Sequence, residues 1–160
     1  MTQKTFSNLL KAAIVLALLC CAAVYGLYVP AVAGEWKEAA PELSGLYLPC
    51  LIFVELTALP ILAAFVLSWK IASEIGRDNS FSRENARRMK IISYLALADV
   101  AYFWIGIIVF ASAFSAMSGP WLILAILVGA AGLIVAVCAG ALSHLILKAA
   151  VLREENDLTV

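Results

Sequence analysis

Charge is what this sequence has least of. Only 14% of its 160 residues are Asp, Glu, Lys or Arg, and eleven of each sign leave no net charge. Soluble domains carry about a quarter charged residues, so a water-facing surface of ordinary composition is excluded. The balance of signs also gives no bulk attraction for nucleic acid, and no direct nucleic-acid binding is expected. Histidine is nearly missing: His144 stands alone, with no Cys, Asp or Glu at helical ligand spacing, and reads as an interfacial or packing residue. The four cysteines, Cys20, Cys21, Cys50 and Cys138, form no CxxC pair, and three lie deep in apolar runs. They imply neither a disulfide framework nor a metal site and read as packing residues. Nucleophile elbow, P-loop, HExxH and dinucleotide fingerprint are all missing, so the expectation is a protein without cofactor that is not an enzyme.

What the chain does have is apolar surface, in 64% of its residues. A soluble core of this size could not hide so much, whereas a bilayer can. Each helical crossing needs about 20 residues, so four crossings use about half the chain and leave no separate soluble domain. The expected fold is an all-α integral membrane four-helix bundle in one domain, residues 1–160. Its spans cover about 12–29, 47–71, 91–117 and 121–147, with a loop at 72–90 and a tail at 148–160. The first run stops at Pro30. Lys4 and Lys11 before it, and Ala31-Val32-Ala33 after it, also have the form of a signal peptide and cleavage site. Its apolar stretch is longer than a usual signal core, which favours a retained helix. Residues 31–46 read as a short acidic loop with Glu35, Glu38 and Glu42; Glu55 and Pro60 interrupt the second run, and Ser118-Gly119-Pro120 reads as a tight turn.

Orientation follows from Lys and Arg, which are retained on the cytoplasmic side. Lys4 and Lys11, then Lys70, Arg77, Arg83, Arg87, Arg88 and Lys90, then Lys148 and Arg153 fall in the N-terminus, the central loop and the tail; the other two loops hold only Lys37. Both termini and the central loop are therefore expected in the cytoplasm, with the protein in a bacterial inner membrane. Trp36, Tyr47 and Trp121 on one side, and Trp69 and Phe81 on the other, fit interfacial aromatic belts.

Helices in lipid associate through close contact and polar bonds, because lipid tails are as apolar as Leu. The last span offers such a contact in Ala125, Gly129, Gly132, Ala136, Ala139 and Ser143, whose alternating steps of four and three keep one small-residue face toward a neighbour. That neighbour is either another helix of the chain or a second copy in a homo-oligomer.

Two carboxyls, Glu55 and Asp99, lie well inside apolar runs. Each costs about 2.5–3.5 kcal/mol at mid-bilayer on insertion scales, so each should face the bundle interior, protonated, paired or hydrogen-bonded. Helical rise places them within about two turns of one another in depth. One reading is a shared proton or ion site in a small transporter or ion-conducting protein. The other is structural, with each carboxyl bonded to a hydroxyl such as Thr57 or Tyr102.

Outside the spans, Gly76 to Asn85 reads as a turn leading into a helix. Ser82 is the expected N-cap, Glu84 sits in the first turn, and Arg87, Arg88 and Lys90 continue into the third span. The tail is expected to extend the last helix by two turns into the acidic cluster Glu154, Glu155 and Asp157. Acidic residues oppose the dipole at a helix C-terminus, so pairing with the basic central loop is the better reason for them. Phe81, Ser82, Glu84, Asn85 and Arg87, with Glu154, Glu155, Asn156 and Asp157, are the candidate interaction surface.

Gly76-x-x-x-x-Phe81-Ser82-x-Glu84-Asn85 before a third span, with Glu154-Glu155-Asn156-Asp157-Leu158-Thr159-Val160 at the end, resembles the bacterial family called domain of unknown function 2975. The resemblance covers nearly the whole chain. It implies a small inner-membrane protein, often encoded beside a short helix-turn-helix regulator, and so a membrane member of a regulatory pair. The family has no catalytic or ligand residues to carry over. The expected function is that of a membrane partner whose loop and tail contact such a regulator or another membrane protein.

Overall fold

The computed structural model describes residues 2–39, 41–114 and 119–158; apart from Thr2, Thr57 and the connection 76–82 these are helical, with no strand among them. Helix α1 (Gln3–Ala23) passes through a π-helical turn (Val24–Tyr28) into α2 (Val29–Ala39), and a 3-10 segment (Pro41–Leu46) leads to α3 (Tyr47–Leu56). Helices α4 (Ala58–Ile75), α5 (Arg83–Phe114) and α6 (Gly119–Leu158) follow. These make four helical segments long and apolar enough to cross a membrane: Gln3–Glu38, Ser44–Ile75, Arg83–Ser112 and Leu122–Asn156. Ser118 of the expected turn lies outside the described residues, as do Thr159 and Val160, and the side chains of Trp121 and Asp157 are not described.

Two interruptions have physical causes. Pro30 does not end the first span, as the sequence suggested; the helix continues to Ala39, so most of the expected acidic loop is helical. Proline removes an N–H and its ring collides with the carbonyl four residues back. The π-turn just upstream, in which the Val29 N–H reaches the Val24 carbonyl, re-spaces those carbonyls so that the chain can stay helical. Ala31-Val32-Ala33 thus sits inside a helix. In the second span the break falls at Thr57, between α3 and α4. Pro60 is again the cause, because its ring opposes the Leu56 carbonyl. Thr57 fills the gap by donating its hydroxyl to the Val54 carbonyl at 2.7 Å.

Neighbours along the chain are neighbours in space: α1 packs on α4, α4 on α5, and most extensively α5 on α6. The buried residues are nearly all small. Ala72, Ala86, Ala125, Ala136, Ala139, Ala150 and Ser143 are each less than a tenth exposed, while Ile123, Leu127, Ile134 and Val137 of α6 are more than 60% exposed. Large apolar groups outside and small ones inside is the arrangement that a lipid solvent permits.

The small-residue seam of α6 is the line along which α5 docks, so its partner lies within the chain. A Cβ on Gly129 would stand 2.5 Å from Trp104 Nε1, and one on Gly132 would stand 2.5 Å from Val100 Cγ2. Two hydroxyls cross between the helices: Ser93 donates to the Ala136 carbonyl at 2.7 Å and Ser143 to the Ala86 carbonyl at 2.8 Å. Replacing Gly132 by Leu is expected to force α5 and α6 apart at a cost of about 1–3 kcal/mol or more, read as a lower unfolding temperature in detergent. The same change at the exposed neighbour Ala131 is expected to alter stability by no more than about 0.5 kcal/mol.

Candidate functional site

Many of the polar side chains near the ends of the spans collect at the end of the molecule that holds the N-terminus and the 76–82 connection. The first turns of α1 meet the end of α4 where the Ser7 hydroxyl donates to the Ala72 carbonyl at 2.6 Å. At the same end, the start of α5 lies against the C-terminal third of α6 through Ser143 and Ala86. The N-terminus, the 76–82 connection and the C-terminal tail are therefore side by side.

The connection is built by its own hydrogen bonds. Helix α4 ends with the Asn79 N–H on the Glu74 carbonyl at 3.0 Å and the Asp78 N–H on the Ile75 carbonyl at 3.2 Å, the paired bonds of a Schellman cap. The left-handed position of that cap is taken by Asp78, at φ 63°, and not by the nearby Gly76. Asp tolerates this conformation better than most residues. The Glu74 carboxylate accepts from Asn79 Nδ2 at 2.9 Å and from Arg77 Nη1 at 3.3 Å, which holds it below the usual carboxylate range. On the far side of the connection, Ser82 caps α5 as expected: the Asn85 N–H donates to Ser82 Oγ at 3.2 Å.

Asn85 is the centre of this loop and corrects its expected place on the interaction surface. It has no exposed surface. Its Nδ2 donates to the Asn79 carbonyl at 3.0 Å and the Ser80 carbonyl at 3.2 Å, and its Oδ1 accepts from Arg88 Nη1 at 3.0 Å. A short amide that can donate twice and accept at the same time closes the loop onto the first turn of α5, and so is not available to a partner. Arg88 also lies 3.4 Å from Glu84. The motif residues left at the surface are Phe81, 54% exposed, with Glu84 and Arg87; Ser82 is half-buried and occupied as a cap.

Helix α6 runs for 40 residues, or about 60 Å at 1.5 Å per residue, twice a hydrocarbon core of about 30 Å. Its last turns project past the apolar span and reach the loop. Arg83 grips Glu154 with two nitrogens, Nε at 2.9 and 3.1 Å from the two carboxylate oxygens and Nη2 at 2.7 Å from Oε2. These bonds hold the Glu154 carboxyl below, and the Arg83 guanidinium above, their ordinary values. The tail therefore pairs with the central loop through Glu154. Glu155 and Asn156 are exposed beside it, and the Asp157 side chain is outside the described atoms.

The intramembrane candidates are arranged differently from the structural reading. Thr57 and Tyr102 do not bond to the carboxyls. Thr57 Oγ lies 2.7 Å from the Tyr25 hydroxyl, and Tyr102 donates to the Phe53 carbonyl at 3.3 Å. The Tyr25–Thr57 bond joins the π-turn of the first span to the break in the second. Asp99 and Glu55 are both half-buried. Asp99 Oδ1 is buried with no hydrogen-bonding protein group among the described residues. His144 is exposed on α6.

Residues 31–160 match the family described as protein of unknown function (DUF2975). The chain is also 31% identical over 154 residues to the uncharacterized membrane protein YoaS of Bacillus subtilis (strain 168), covering 94% of this chain and 95% of that one. No solved structure matches. The geometry of the loop carries its own test. Asn85→Ala removes the side-chain donor from two part-buried loop carbonyls, at a cost of about 1 kcal/mol, and limited proteolysis is expected to cut between residues 76 and 82 several times faster than in the unaltered protein.

Proposed function

Because the chain belongs to the DUF2975 family of membrane proteins, we propose that it is a non-enzymatic docking platform in a bacterial inner membrane, with both termini and the 76–82 loop in the cytoplasm. The observation that carries this reading is the two-nitrogen grip of Arg83 on Glu154, which fastens a self-bonded loop to a helix projecting from the bilayer. Exposed ion pairs contribute little to stability; this one instead fixes the relative position of two recognisable motifs. The result is a preorganised polar surface with a half-exposed aromatic ring, Phe81, at its edge. Preorganisation lowers the ordering cost of binding, and buried aromatic anchors dominate most protein interfaces. Ten of the eleven Lys and Arg residues lie at this end in sequence terms, which supports its cytoplasmic placement. The partner that fits is a cytoplasmic protein such as a helix-turn-helix regulator, or the cytoplasmic face of another membrane protein.

A photo-crosslinking residue at position 81 is expected to capture one defined protein in cells, and Phe81→Ala to reduce co-purification of that protein by about tenfold or more. Labelling of the 76–82 loop from outside the cell would overturn the orientation. Capture no greater than from a crosslinker at Lys37 would overturn the platform.

One observation favours a second reading. Asp99 has a buried oxygen with no hydrogen-bonding protein group among the described residues, in a bundle whose first span holds a π-turn, and π-turns recur at functional sites. Intramembrane carboxyls commonly mark proton or cation paths. Under this reading, vesicles containing the purified protein carry a pH- or cation-dependent flux that Asp99→Asn abolishes and Glu55→Gln reduces. Absence of flux, or flux indifferent to both changes, removes it.

A further inference from the structure

We infer that the groove between the first turns of α1 and the end of α4 binds the phosphate of an anionic glycerophospholipid. The groove has a volume of about 310 Å³ and opens to the surface. Lys4, Asn8, Lys11, Ser73 and Arg77 line it, and no carboxylate does. Lys4, Asn8 and Lys11 recur at steps of four and three, which sets them on one face of α1. Glu74 takes one nitrogen of Arg77 at 3.3 Å; the rest of that guanidinium fork is left for another acceptor. The site is thus cationic in a protein whose net charge is zero.

Its depth identifies the ligand. Lys11 Nζ sits 5.5 Å from the centre of the Trp69 ring, a cation–π distance. Tryptophan on a spanning helix settles at the headgroup level, so Lys11 lies in the plane of the lipid phosphates. Toward the bilayer, α1 and α4 expose Val15, Leu18, Leu62 and Val66, apolar surface of the kind acyl chains cover. Basic pockets between spanning helices at this depth suit anionic headgroups.

The floor is fixed by close backbone contact. Ser7 is 3% exposed and donates to the Ala72 carbonyl. A Cβ on Gly76 would stand 2.8 Å from Ser7 Oγ, so the missing side chain is what lets the two helices meet there. The groove is separate from the Arg83–Glu154 surface, and the proposal holds whichever way the protein faces.

The test is titration of the purified full chain, in zwitterionic detergent, with phosphatidylglycerol, phosphatidylcholine or inorganic phosphate, with bound molecules counted by native mass spectrometry. Phosphatidylglycerol is expected to bind about tenfold more tightly than phosphatidylcholine. Lys4→Gln with Lys11→Gln should remove that preference, Lys4→Arg with Lys11→Arg should keep it, and Lys90→Gln should leave it unchanged. Circular dichroism and monodisperse elution confirm that each variant is folded. Equal affinity for the two lipids, or a preference that survives the double Gln variant, overturns the proposal. Inorganic phosphate displacing the lipid at equal concentration also overturns it, by showing a free-anion site. A parallel loss of Phe81 crosslinking would not bear on these outcomes, since the lipid titration contains no protein partner.

Discussion

The contact between α5 and α6 governs what the rest of the molecule can do. In lipid there is no hydrophobic gain from bringing two helices together, so they must gain from dispersion at short range and from polar bonds across the interface. The seam from Ala125 to Ser143 supplies both. Gly129 and Gly132 let Trp104 and Val100 approach, while Ser93 and Ser143 send hydroxyls to carbonyls on the opposite helix. Ala150, 2% exposed, continues the same line beyond the apolar span. Because the seam does not stop at the membrane boundary, the projecting ends of α5 and α6 remain paired. Arg83 then meets Glu154 without either side chain having to order a flexible segment.

Much of this was legible from residue spacing alone. A step of four and three among small residues has few uses in an apolar helix, and the structure places that face against α5. The N-cap at Ser82 and the pairing of tail with loop were readable for a related reason: each rests on a local rule, a hydroxyl before a helix or acids where the helix dipole disfavours them. The features that the sequence hid depend on what lies across a contact. Asn85 sits among polar and charged residues and looks like surface, yet three loop and helix groups converge on its amide. Gly76 looks like the helix terminator, yet Asp78 has the left-handed backbone and Gly76 is small because of Ser7 on another helix. Pro30 looks like a stop, and the π-turn that cancels its effect has no signature in the residues Val24–Tyr28. The intramembrane carboxyls fall between these cases. The expectation that they face inward rests on cost and both are half-buried, but the choice of Tyr25 as the partner of Thr57 depended on an irregular turn.

The two halves of the polar end are chemically distinct, and the difference lies in where the carboxylates are. On the α5–α6 side two cations are answered by the protein itself: Arg83 by Glu154, and Arg88 by Glu84 and the Asn85 side-chain amide oxygen. Ion pairs of this kind hold the surface in one shape, which favours recognition by form and by the exposed Phe81 ring. On the α1–α4 side Lys4 and Lys11 line a groove without a carboxylate, and Lys11 is held against an indole at headgroup depth. Of the groove's cations only Arg77 meets an acid, Glu74, in an ion pair among the described residues, and an anion is the natural complement. A chain with equal numbers of acids and bases can therefore hold an anion site and an ion-paired surface at the same end, provided no acid lines the first. Glu154 marks the division, taking up Arg83 on one side while no carboxylate lines the groove on the other.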